Sequence, residues 1–287
     1  MKRLFDTVKT AVVAPVSNSR RADVSVVIPA YNAAATLERA LESVAAQTLL
    51  PEEVLIVDDA SADATAAIAS SLASRFPQLC ARVIRLAQNK GPATARNTGW
   101  NESKSAFIAF LDADDAWHPR KLEIQYTWMV THPGVGLSGH ACPESLPGNM
   151  PIIDDVRLQV RQLSAGRLLL SNQFSTPTAM LRRTLPYRFK ADKRFTEDYL
   201  LWLQMVLDGI PAAYMSLSLA FIYKPAFGAT GLSSQLWKME TGELATYRQL
   251  ARERRLSLAL AGLLMVFSFT KFLRRQLLCS FRPVLGE

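Results

Sequence analysis

The chain has 287 residues, 49% of them hydrophobic and 20% charged, which suits one large folded α/β domain with an appendage and excludes a disordered chain. Its formal net charge of +8 is concentrated at the ends: residues 1–21 hold five Lys/Arg against one acid, residues 236–287 nine against four, and the body between nineteen against twenty. Basic ends around a near-neutral body argue against nucleic acid, which needs a basic stripe on one face, and favour contact with an anionic membrane surface.

After the basic leader, Val24-Ser-Val-Val-Ile-Pro29 is a β-branched run stopped by proline and predicts a first buried strand. Ala30-Tyr31-Asn32 is its exit loop, and Thr36 is placed to cap a helix whose apolar positions Leu37, Ala40, Leu41, Val44 and Ala45 recur at helical spacing as far as Gln47. Val54-Leu-Ile-Val57 predicts a second strand ending in Asp58-Asp59, after which Ser61 and Asp63 open a helix reaching Ser74. A weaker strand, Arg82–Leu86, leads to the turn at Gly91-Pro92, with Pro92 suited to the first turn of a helix over Ala93–Ser103. Phe107-Ile-Ala-Phe-Leu111 is apolar on both faces, as a central parallel strand must be, and runs straight into Asp112, Asp114 and Asp115. Strands alternating with helices at this spacing predict βαβ units, hence an α/β fold whose ligands gather at the carboxyl ends of the strands. Three acids at one strand end repel one another unless a cation, or a polyphosphate with its cation, neutralises them. The alternative is a solvated acidic turn.

Further along, a helix is expected from Pro119 or Arg120 to His132, loop with a strand or two over 134–151, and a helix over Asp154–Leu170. Asn172–Leu181 reads as a turn feeding an extended segment. Thr196-Glu197-Asp198 places acids ahead of an apolar helix reaching Leu207, and Ala212–Tyr223 is expected to return as a strand. The last 52 residues differ in kind: Leu256–Phe269 carries no charge over fourteen residues, between Arg252-Glu-Arg-Arg255 and Lys271-Phe-Leu-Arg-Arg275. A spanning helix needs about eighteen or more, so a helix lying in the membrane interface, or one packed on the domain, is expected. Cys80, Cys142 and Cys279 are odd in number and lack metal-ligand spacing, and Ala11–Ala14 is too short for the core of a secretory signal. The expectation is a cytoplasmic protein, peripheral on the inner face of the cytoplasmic membrane.

Five motifs then combine. Val24–Asn32, Val57-Asp-Asp-Ala-Ser-Ala-Asp63, Gly91-Pro-Ala-Thr-Ala-Arg-Asn-Thr-Gly99, Leu111-Asp-Ala-Asp-Asp115 and Thr196-Glu-Asp198 follow the order found in glycosyltransferase family 2. The chain thus resembles an inverting nucleotide-sugar glycosyltransferase of GT-A fold. The resemblance covers about residues 23–235 and implies a Rossmann-like nucleotide-sugar half over 23–132, an acceptor half over 133–235, a basic leader over 1–22 and a helical tail over 236–287.

What the resemblance implies for the site can be set beside the chemistry. A leaving nucleoside diphosphate needs its charge neutralised, and carboxylates holding Mg2+ or Mn2+ supply that as a Lewis acid site. Asp112-Ala-Asp114 resembles the family's Asp-X-Asp motif, with Asp115 extending it; Asp114 is the expected metal-side residue, and Asp112 and Asp115 divide ribose and metal contacts in an order left open. Asp59 falls where family members hydrogen-bond the base, a role a carboxylate can play toward the imide of uracil, and Pro29, Ala30 and Tyr31 line the same end. Arg96 matches a base or phosphate contact, the alternative being a solvated helix arginine. Asp58 and Asp63 read as structural loop and cap acids. Inversion needs one base to take the acceptor's proton, and Asp198 is the first choice with Glu197 second. Tyr199 and Trp202 are sugar-stacking candidates whose helical spacing also fits a core, and His118 and His140 are weak candidates for a further metal ligand.

The implied activity is transfer of one sugar from a UDP-sugar to a glycan or lipid-linked acceptor in cell-surface polysaccharide or lipopolysaccharide synthesis. The Gln-X-X-Arg-Trp motif of processive synthases is not evident. Two alternatives stand beside it: a noncatalytic nucleotide-sugar-binding scaffold, and a sugar nucleotidyltransferase, which would want a Gly-rich basic loop where Pro29-Ala-Tyr-Asn-Ala33 stands.

Overall fold

The computed structural model describes residues 8–10, 21–142, 158–223 and 235–280. In chain order its elements are β1 (Val8–Thr10), β2 (Arg21–Ala30), α1 (Leu37–Ala45), β3 (Leu50–Asp58), α2 (Thr65–Arg75), β4 (Ala81–Arg85), α3 (Pro92–Glu102), β5 (Phe107–Phe110), β6 (Ala116–Trp117), α4 (Lys121–Thr131) and β7 (Leu137–Ala141). They continue with β8 (Gln159–Gln162), α5 (Ala165–Leu170), β9 (Met180–Arg182), α6 (Glu197–Leu207), β10 (Ala212–Ser218), β11 (Ala220–Phe221), α7 (Leu236–Arg252) and α8 (Leu258–Ser280).

The main sheet has the order β1-β8-β10-β7-β9-β5-β2-β3-β4. Strands β4, β3, β2 and β5 are parallel, each joined to the next by a crossover. The chain steps outward from β2 to β3 and β4, then returns to place β5 on the other side of β2, so the order reverses between β2 and β5. That reversal opens a crevice at the carboxyl ends of the two strands. β9 pairs antiparallel with both β5 and β7, grafting a mixed second half onto the parallel one.

Strict alternation along the strands fills two apolar layers. Val24, Val26, Ile28, Val54, Ile56, Phe107 and Ala109 face the layer under α1, α2 and α4. Val27, Leu55, Val57, Ile108 and Phe110 face the layer under α3, α5, α6 and α7. The central strands are buried on both sides, which is why their sequence reads as unbroken apolar runs. The fold is thus the expected α/β architecture with a mostly parallel sheet flanked by helices and two helices at its C-terminal end.

Several local expectations are corrected. The helix expected over 154–170 is absent as such: Gln159–Gln162 is the strand β8, paired with β10 and β1, and only Ala165–Leu170 is helical; 154–157 lie outside the described residues, as do 143–151 of the expected loop. Ala212–Tyr223 breaks at Leu219 into β10 and β11, the latter leaving the main sheet to pair with β6. Thr36 stands before α1 without capping it, because its hydroxyl donates back to the Ala33 carbonyl. Helix α2 starts at Thr65, and Asp63 accepts from the Thr65 amide and hydroxyl.

Helix α3 lies unusually close to β2 at Gly99. A Cβ built there would sit 2.3 Å from Cγ1 of Val27, far inside van der Waals contact. Gly99→Ala is therefore expected to destabilise the fold by about 1–3 kcal/mol through overpacking, seen as a lower urea midpoint with an unchanged slope.

Candidate active site

The crevice is a cleft of about 880 Å3, within the usual range of about 300–1,000 Å3 for small-molecule sites. The exit of β2 supplies Pro29, Ala30 and Tyr31; the exit of β3 supplies Asp59; the loop after β5 supplies Asp112, Asp114 and Asp115; α3 supplies Arg96; and the start of α6 supplies Glu197 and Asp198. Every residue expected at a donor, metal or catalytic position thus lines one cleft.

The floor is set by backbone stitching between loops. Asn32 ties the β2 exit to the β3 exit, its amide donating to the Ser61 hydroxyl and its side-chain oxygen accepting from the Ala62 amide. Ala33 and Ala34 donate to the Thr65 hydroxyl and the Asp63 carboxylate. Asp58, fully buried, accepts from the Ser61 amide and pairs with Arg85 at 3.3 Å, the structural role expected for it. Asp59 accepts from the amides of Lys90 and Gly91 at 2.8 and 2.7 Å. It therefore fixes the turn that begins α3, where Gly91 adopts φ +85°, as well as facing the cleft.

The acid loop is pinned from below. The Asp115 amide donates to the Asp112 carbonyl, β6 is held by β11, and Trp117 donates its indole N–H to the Pro177 carbonyl at 2.8 Å. Arg39 donates to the Asp114 carbonyl and stacks on Tyr223. Asp115 is 5% exposed, Asp112 and Asp114 less buried.

Arg96 joins the two acidic groups. The residue is 5% exposed, and its guanidinium donates to Asp112 at 2.7 Å and to Glu197 at 2.8 Å, beside the ring of Phe189. Burial alone would lower its pKa, but Asp112 and Glu197 outweigh that and raise it. The reading as a solvated helix arginine is thereby corrected. Burial pushes the Glu197 carboxyl up against the opposing charge of Arg96. The Asp198 carboxyl is likewise pushed up by burial and drawn back chiefly by Arg96. Asp198 also accepts from the Tyr199 amide and, at 3.4 Å each, from Asn172 and Thr176. A carboxylate raised toward neutrality yet held ionisable by a helix N-terminus and a nearby guanidinium is suited to take a proton.

Non-glycine residues in the left-handed region gather at this rim: Asn32 at φ 48°, Ala60 at 56° and Thr196 at 55°. For a β-branched residue such as Thr196 this conformation costs about 1–3 kcal/mol, and it turns the chain so that Glu197 and Asp198 both reach the cleft.

Tyr199 and Trp202 do not stack in the cleft. Tyr199 is buried with its hydroxyl on the Leu168 carbonyl, and Trp202 is buried against Phe174 and Phe189. His118 accepts from the Arg120 amide, and His140 lies buried beside the Ala141 carbonyl; neither lines the cleft. Sequence reasoning missed Asn172 and Thr176, whose only signal is a polar cluster around Pro177, and missed Gln235 and Met239 of the α7 region, which line the cleft with no local signal. It also missed Lys121, fully buried with its amine 3.7 Å from the Trp117 ring centroid and its pKa pulled far down by burial.

Two outcomes are expected. Arg96→Ala leaves two carboxylates without their cation and should cost about 3–5 kcal/mol of stability, read by urea unfolding; a loss under 1 kcal/mol would mean the pairs are incidental. Asp198 has a folded pKa above its unfolded value, so its contribution to stability is greatest below the unfolded pKa and is lost as pH rises through the folded one. Asp198→Asn should therefore melt higher than the wild type near neutral pH, with the gap closing as the pH is lowered toward about 4.

Comparison with known proteins agrees with this geometry. The family model for glycosyl transferase family 2 matches residues 25–184. The chain is 32% identical over 185 residues, 64% of its length and 70% of the relative's, to the UDP-Glc:alpha-D-GlcNAc-diphosphoundecaprenol beta-1,3-glucosyltransferase WfgD of Escherichia coli. Among solved structures, S. aureus TarS 1–349 in complex with UDP-GlcNAc superposes with a TM-score of 0.65 at 19% identity, covering 92% of this chain and 74% of that one. The mannosyltransferase PcManGT of Pyrobaculum calidifontis, in complex with GDP-Man and Mn2+, gives 0.64 at 20% identity over 90% and 75%. At these identities the two structures speak for the fold, and the family match decides for a glycosyltransferase over a nucleotidyltransferase. On the matched motifs and the cleft they build, the chain belongs to glycosyl transferase family 2.

Proposed function

We propose that the protein transfers a single sugar, with inversion, from a UDP-sugar to a glycan or lipid-linked acceptor during synthesis of a cell-surface polysaccharide or lipopolysaccharide, working at the inner face of the cytoplasmic membrane. The observation that carries this reading is the convergence in one cleft of Asp59, Asp112–Asp115 and Glu197-Asp198, with Arg96 buried between the last two groups. The relative WfgD, named for a UDP-glucose donor and a diphosphoundecaprenol acceptor, supports the donor and the lipid carrier.

Tyr31, half exposed at the mouth of β2, offers an aromatic face to a base, and Asp59 offers a carboxylate oxygen to an imide N–H. Asp112, held by Arg96, and Asp115 would divide the ribose and metal contacts between them. Among the described residues no three His, Cys, Asp or Glu side chains gather closely enough to hold an ion by themselves. The hard carboxylate oxygens of the acid loop nonetheless suit Mg2+ or Mn2+, which commonly bind through one or two carboxylates completed by substrate phosphates and water. Asp114 would hold such an ion, with Asp112 and Asp115 beside it, and the ion's Lewis acidity would neutralise the pyrophosphate as it leaves.

Asp198 is the base. The acceptor hydroxyl gives its proton to the Asp198 carboxylate as its oxygen bonds to the anomeric carbon from the face opposite the nucleotide. The carbon–oxygen bond to the diphosphate breaks, and its electron pair departs with the UDP. Glu197, already bound to Arg96, keeps the guanidinium between the donor side and the acceptor side, and so acts as a positioning residue.

Incubating the pure protein with Mn2+, cell-envelope acceptors and a panel of nucleotide sugars should give nucleoside diphosphate release with a UDP-sugar, abolished by EDTA and restored by Mn2+. Asp198→Asn should lower kcat by about 100- to 10,000-fold with the donor KM little changed. No release with any donor would overturn the reading, and full activity in the Asn variant would move the base elsewhere.

A further inference from the structure

Helix α8 is apolar on its outer side as well as on the side it packs against the domain. A helix packed on a soluble domain turns its apolar stripe inward and its polar side outward. Here Leu258 is 82% exposed, Leu263 69%, Val266 65% and Leu273 47%. With 3.6 residues per turn, these four and Phe269 fall within an arc of about 140° on the outer side. The inner side is already satisfied: Ala261, Leu264 and Phe272 are buried against the domain, and Ser268, fully buried, donates to Glu240 of α7, itself fully buried and paired with Arg275 at 3.2 Å. A contiguous apolar strip of this kind marks an interaction surface.

Its surroundings say what would cover it. Helix α8 contains no acidic residue, and the strip is bordered by exposed Arg252 and Arg254 at one end and exposed Arg274 toward the other. A second copy docking by the same face would bring like charges together, whereas anionic phospholipid headgroups would match them. No helix among the described residues is long and apolar enough to cross a membrane, so the fitting geometry is a helix lying in the plane of the interface. The strip also points somewhere. Near its C-terminal part Phe272 packs against Trp237, 58% exposed, at 5.5 Å between centroids, and Met239, two residues on, lines the cleft.

We propose that the outer face of α8 docks on an anionic bilayer, with Trp237 at the headgroup level beside the mouth of the cleft. This deepens the reading of a lipid-linked acceptor and rests on it only for its purpose: the docked cleft opens at the depth where the phosphate end of a lipid carrier sits, so the acceptor need not leave the membrane.

Flotation of the full-length protein with vesicles of phosphatidylcholine alone, and of phosphatidylcholine with phosphatidylglycerol, tests the surface without any nucleotide sugar. The wild type should float with the anionic vesicles and do so less at high salt. Leu263→Glu/Val266→Glu should lower the vesicle-bound fraction by about tenfold or more while leaving the melting temperature and UDP release from donor unchanged. Arg254→Glu/Arg274→Glu, which leaves the strip intact, should weaken binding to the anionic vesicles selectively. The proposal fails if the wild type floats with neither vesicle, or if the Leu263→Glu/Val266→Glu variant floats like the wild type. It also fails if light scattering shows an oligomer that this variant dissolves and no flotation is seen, since the occupant is then a second copy. Loss of donor turnover with flotation intact would count against the enzymatic reading alone.

Discussion

The structure depends on one buried cation. Arg96 sits in the low-dielectric floor of the cleft, where an unpaired guanidinium would be too costly to tolerate, so Asp112 and Glu197 are obliged to stay within hydrogen-bond reach of it. Those two carboxylates come from opposite halves of the molecule: Asp112 closes the last strand of the parallel half, and Glu197 opens the helix that packs over the grafted half. The guanidinium fork accepts both geometries at once, which an ammonium could not do with the same directionality. Its position makes the two acidic groups of the cleft mutually dependent, because any group that draws on Asp112 alters the charge felt at Glu197 and Asp198.

Around that centre the fold accepts strain where chemistry is to happen. Asn32, Ala60 and Thr196 hold left-handed backbone at the three chain turns that deliver the cleft side chains, and Asp198 is kept partly desolvated beside two other carboxyl groups. Each feature lowers stability locally, and the doubly buried strands beneath, with tight helix contact at Gly99, offset it. Such a division between a rigid sheet and strained exits is what a reversal point in strand order provides.

Much of this was legible in the sequence because the parallel half writes itself in a simple code: β-branched runs that end in acids, alternating with helices at βαβ spacing. The central run Phe107–Leu111 and the acids after it located the cleft, and the spacing of Asp59 and Asp198 around it supplied two of its walls. The second half was less legible for physical reasons. Gln159–Gln162 has no alternating apolar signal of its own and is extended only because β10 and β1 offer it backbone partners. Tyr199 and Trp202 could not be told from sugar-stacking groups, since aromatics at helical spacing look the same whether they meet a ligand or a core. The burial of Arg96 was invisible because it depends on Glu197, 101 residues away. The tail gave its composition but not its packing, and it is the second apolar face of α8, left exposed beyond the one it buries, that carries meaning.

The central claim is that one carboxylate, Asp198, activates the acceptor for a direct displacement, with no covalent sugar–enzyme stage. Proton NMR of the first-formed product from an α-configured UDP-sugar reads this directly, through the coupling constant at the new anomeric centre. A β-linked product is predicted. An α-linked product would mean retention of configuration, and would contradict a single displacement driven from Asp198.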